Sequence, residues 1–138
     1  MSEFTAPDVY EAVTGGVVVR AAPVFLPEQS EPAERRWVWA YEIEIENRGR
    51  SPVQLVSRRW TITDAFGRVE EVQGPGVVGE QPVIRPGESF RYTSGCPLST
   101  ASGAMVGAYR MVDDAGEMFE VDIPAFSLDV PSVRRTVN

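Results

Sequence analysis

Histidine and lysine are both absent from the 138-residue sequence, and cysteine occurs once, at Cys96. Without histidine there is no Ser-His-Asp or Cys-His arrangement, no ordinary neutral-pH proton shuttle and no imidazole for a transition metal. Without lysine, Schiff-base chemistry and a Walker A phosphate lysine are excluded. One cysteine makes no internal disulfide, and flanked by Gly95 and Pro97 it reads as a small structural thiol in a turn. No apolar run of 18 residues and no secretory leader pattern occurs, so a cytoplasmic protein that does not insert into membranes is expected. All 13 basic residues are arginines against 20 acidic ones, and the resulting net charge of -7 argues against nucleic acid or anionic lipid as a partner.

What is present is strand. A chain of this length with 43% apolar content builds one core. In Arg36 to Asn47 the odd positions Trp37, Trp39, Tyr41, Ile43 and Ile45 alternate with Glu42, Glu44 and Glu46. That is a strand with one wet face, and its glutamates are spaced too rigidly to chelate a cation alone. Val17 to Leu26 is a second apolar run, and Pro27 to Glu34 a loop. Pro52 to Asp64 carries an apolar phase that slips between Leu55 and Val56, which predicts a bulge. Asp64-Ala65-Phe66-Gly67 and Asp113-Asp114-Ala115-Gly116 begin with Asp and end with Gly, as a type I turn closed by a left-handed glycine requires. Seven or eight short strands with regular turn signals and no convincing helix predict an all-β, immunoglobulin- or fibronectin-III-like sandwich, with an eight-stranded closed barrel as the alternative. Residues 1–14 read as a loosely ordered segment, 15–130 as the domain and 131–138 as a tail.

Gln73 to Gly87 is the candidate site. Gly74, Gly76 and Gly79 form a G-x-G-x-x-G pattern, yet Glu80-Gln81-Pro82 follows where a phosphate loop needs a helix N-terminus. Three readings stand: a glycine-rich excursion covering the sandwich edge, an anion nest of backbone N–H groups aided by Arg58, Arg59 or Arg85, and a protein contact. Arg58 and Trp60 share a strand face, so the guanidinium is expected over the indole, a contact worth about 0.5 to 1 kcal/mol.

In their order, Val24 to Ser30, Trp37 to Asn47, Val53 to Trp60, Gly74 to Pro82, Tyr92 to Gly95 and Gly103 to Tyr109 resemble the bacterial ApaG domain, from about Val17 to Leu128. The resemblance implies a fibronectin-III-like sandwich. It also implies an interaction role, since the domain recurs in F-box proteins and in a polymerase-associated protein. Bacterial members carry a cobalt and magnesium efflux label, and pyrophosphate or nucleotide binding has been proposed for their glycine stretch. Where many relatives have histidine after the Ser-Arg pair, this chain has Arg59. The expectation is a non-enzymatic binding domain with no cofactor and no metal site. Arg58, Trp60, Gly74, Gly76, Val77, Val78, Gly79 and Glu80 would contact a protein partner or, alternatively, pyrophosphate or a nucleotide. Pairing of two copies through a sheet edge is a further possibility for assembly.

Overall fold

The computed structural model describes residues 8–131. Among the described residues nine strands, β1 Tyr10–Thr14, β2 Val17–Phe25, β3 Trp37–Asn47, β4 Val53–Asp64, β5 Val69–Pro75, β6 Val83–Ile84, β7 Ser89–Leu98, β8 Ser102–Asp113 and β9 Met118–Asp129, form two antiparallel sheets. One sheet runs β1-β2-β3-β7. The other runs β5-β4-β8-β9, with β6 beside β4. The architecture is a sandwich and not a closed barrel. Among the described residues the helical structure is confined to single 3₁₀ turns at Pro27–Gln29 and Pro32–Glu34, and no helix is long enough to cross a membrane.

β3 behaves as its alternation dictates. Trp39, Tyr41, Ile43 and Ile45 are buried, and they meet Leu55 and Trp60 of β4, Met105, Tyr109 and Met111 of β8, and Ile123 and Phe126 of β9. Tyr41, Trp60 and Phe126 stack as a triplet with ring centroids 5.3 to 5.9 Å apart. On the wet face Glu44 and Glu46 both accept from Arg20 of β2, and Arg91 of β7 reaches Glu44. Both predicted turns form: Asp64 Oδ1 accepts from the N–H groups of Phe66 and Arg68, and Asp113 Oδ1 from those of Ala115 and Glu117. Gly67 and Gly116 follow at φ 84° and 86°.

Two expectations need correction. Tyr10–Thr14, within the segment read as loosely ordered, is an edge strand paired to β2. Residues 1–7 of that segment, and 132–138 of the tail, lie outside the described residues. Cys96 is not in a turn; it is buried within β7, opposite Trp39.

Candidate functional site

The bulge positions the glycine loop. β4 shifts register between Leu55 and Ser57, which leaves Val56 unpaired. Its carbonyl instead accepts two loop donors, the Gly76 N–H at 2.8 Å and Gln81 Nε2 at 2.9 Å. Leu55 N–H donates to Pro82 O, and Gln54 Nε2 to Gln81 O. β5 pairs with one half of β4 and β6 with the other, so the chain between them arches over the bulge, tied down at both feet.

At the crest the chain reverses tightly. Val77 N–H donates to Glu80 O and Glu80 N–H to Val77 O, while Val78 and Gly79 sit at φ 41° and 81°. Positive φ at both central residues is the mark of a type I′ turn. Val77 plugs the core with no exposure, whereas Val78 stands 56% exposed. A β-branched residue at positive φ is a strained position, of order 1–3 kcal/mol, that persists because its surroundings over-determine it.

The glycines have three different jobs. At Gly76 (φ 60°) a Cβ would lie 2.1 Å from Glu80 O, so only glycine fits. At Gly74 a Cβ would lie 3.0 Å from Arg58 Nη1, so the missing side chain gives the guanidinium its passage. Gly79 supplies the left-handed second position of the turn. The N–H groups of Gly76 and Val77 are thus already bonded within the chain, and those of Val78 and Gly79 make no backbone hydrogen bond among the described residues.

Arg58 does not stack on Trp60 as expected. Its Nη1 donates to Pro75 O at 3.1 Å and Gly76 O at 2.9 Å, bracing the loop from below. The competing acceptors win because a guanidinium gains more from two directed carbonyl bonds than from a ring face. Among the described residues the one cation–π contact pairs Arg68 with Phe66. Trp60 itself is buried against Tyr41 and Phe126.

Beside the loop, on the outer face of the β5-β4-β8-β9 sheet, a cleft of about 330 Å³ is lined by Ser57, Arg58, Arg59, Gln73, Gly74 and Arg110, with Glu120 at one side. Arg59 pairs with Glu120 at 3.1 Å, and that hydrogen bond holds the Glu120 carboxyl below the usual carboxylate range. Arg110 entered no sequence expectation; it sits across from Ser57 on β8, a cross-strand neighbour that spacing along the chain does not reveal. The bulge carbonyl of Val56 and the amides of Gln54 and Gln81 were missed likewise, with only the phase slip at Leu55 as a signal. Cys96 has the chemistry of a buried thiol: desolvation pushes it up to about 11. Among the described residues no three Cys, Asp or Glu side chains converge as metal ligands.

The family model described as the ApaG domain matches residues 27–113. The chain is 61% identical over 130 residues to Protein ApaG of Brucella anthropi and 58% identical to Protein ApaG of Mesorhizobium japonicum, in each case covering 94% of this chain and the whole of the relative. A crystal structure of a Bordetella pertussis protein given the name ApaA superposes with a TM-score of 0.83 at 44% identity, covering 94% of this chain and 100% of that one.

Proposed function

This chain belongs to the ApaG domain family, and from that premise we propose that it is a non-enzymatic binding module whose partner is a protein and whose contact is the braced crest of the β5–β6 loop. The observation that carries the reading is Val78. An apolar, β-branched side chain is held at φ 41° and more than half exposed, on a loop whose feet are fixed by Val56, Arg58 and Gln81. Strain of that kind is kept where a side chain has to be presented, and a preformed loop loses little entropy on binding. Val83, 54% exposed on β6, extends the apolar surface along the same segment. The buried free thiol of Cys96 suits the reducing cytoplasm in which this module would act. The cobalt and magnesium association attached to the family enters, on this reading, through the partner.

Val78→Asp tests it without harming the fold, because aspartate tolerates positive φ better than valine does. Affinity capture with the wild type should recover a specific partner that Val78→Asp loses, while the two melt at the same temperature or the variant slightly higher. Retention of every specific partner by the variant would overturn the proposal.

A second reading rests on the outer cleft. Arg58, Arg59 and Arg110 meet there in a chain whose net charge is -7, which favours an anion such as pyrophosphate or a nucleotide. Calorimetry should then show saturable binding that Arg110→Ala weakens. A flat titration of the wild type would end this reading and leave the first intact.

A further inference from the structure

The two sheets close unevenly. β9 packs against β1 and β2 along one side, whereas along the other the edge strands β5 and β7 leave a cleft of about 250 Å³ between the layers. Its apolar walls are Tyr41, Trp60, Ile62, Val72 and Met105, and Arg58 and Cys96 also line it. One polar group there has no protein partner. Trp60 is only 2% exposed, and its Nε1–H finds no acceptor among the described residues. A buried indole N–H ordinarily has one, as Trp39 Nε1 does in Asp129 O at 2.9 Å.

Trp60 is itself one of the residues that line the cleft. Cε3, on the benzo edge, lies against Gly107 of β8, where a Cβ would be 3.1 Å away. The N–H is on the other long edge of the indole, away from that contact. Arg58 stands two residues from Trp60 on the same strand face and adds a cation whose Nη1 alone is engaged with the loop carbonyls. The one acidic lining residue, Glu70, is exposed and pairs with Ile62, about 13 Å along the strands from the Arg58 position. The end of the cleft shared by Arg58 and Trp60 therefore offers a cation and an indole N–H, with the Tyr41 and Ser94 hydroxyls beside them and no carboxylate, above walls that are mainly aromatic and aliphatic.

We infer that this cleft binds a small molecule with one ring and a carboxylate, the ring between the apolar walls and the carboxylate accepting from Trp60 Nε1–H and the Arg58 guanidinium. The site shares Arg58 with the outer arginine cleft and with the brace of the loop but lies between the sheets, and it stands whether or not a protein partner is found.

The full chain, labelled with nitrogen-15, has three indole N–H signals to follow, from Trp37, Trp39 and Trp60. Titration with phenylacetate should move the Trp60 signal saturably and leave that of Trp39 in place. Benzyl alcohol, which keeps the ring and lacks the carboxylate, should bind about tenfold more weakly or worse, and Arg58→Gln should weaken phenylacetate by a similar factor. No saturable shift at Trp60, equal binding of the acid and the alcohol, or equal movement of all three indole signals would each overturn the inference. The wild-type titration decides the matter even if Arg58→Gln loosens the loop.

Discussion

Asn47, at the end of β3, ties three stretches of backbone together through one side chain. Nδ2 donates to Ser51 O at 2.8 Å and to Ile84 O at 2.9 Å, and Oδ1 accepts from the Gly49 N–H at 2.8 Å. Asn47→Leu keeps the branched outline and strands those groups, so it should cost about 3 kcal/mol in a urea melt. An unchanged midpoint would mean that water replaces the amide at no cost. Val78 moves the other way. Val78→Gly releases the positive-φ strain and should stabilise by about 1 kcal/mol, after the entropy that glycine adds to the unfolded chain. A lower denaturant midpoint would remove the strain argument. For Cys96, a thiol pushed up to about 11 by burial should react with iodoacetamide near neutral pH far more slowly than free cysteine. A rate matching the free amino acid would show that β7 opens at that edge.

At the scale of strands, the central layer is the strongest test of the packing. Trp39 fills the interface between the sheets and bonds to Asp129 O on β9, so Trp39→Ala should lower stability by about 3 to 5 kcal/mol, read from the denaturant midpoint. Elements with local causes were legible in the sequence: the alternation of β3, the bulge after Leu55, and the two Asp-to-Gly turns. β1 was not, because Val13 faces solvent and Thr14 faces inward, so its apolar pattern does not alternate cleanly. Cys96 was misplaced because Gly95 and Pro97 signal a turn, yet β7 is an edge strand, where proline is tolerated. The candidate loop was visible as a stretch and its mechanics were not. Gly74 makes room for Arg58, and Arg58 reaches Pro75 and Gly76, both through partners fixed by the register of β4 on β5.

For the whole molecule, surface arginines offset part of the acidic charge by pairing with glutamates across strands. The hydrogen bond from Arg48 holds the Glu46 carboxyl below its usual value of 4.5, with Arg20 assisting, and Arg59 does the same for Glu120. A carboxyl depressed in the folded state contributes stability that is present above its unfolded value and is lost as pH falls through the folded one. The melting temperature should therefore decline on acidification below about pH 4.5. Arg59→Gln should remove the share of that decline belonging to Glu120. An identical acid profile for the variant would show that the pair is fully screened, as exposed pairs often are.

The same surface presents two apolar points on one braced segment, Val78 and Val83, and the claim that this segment meets a protein is open to a direct test. A photo-crosslinking amino acid placed at Val78, and in a second protein at the exposed Met118 of the β8–β9 hairpin, should be irradiated in cells and the products resolved by mass. The proposed function predicts a discrete heterologous adduct from position 78 and none from position 118. The same adducts from both positions, or none from position 78, would contradict it.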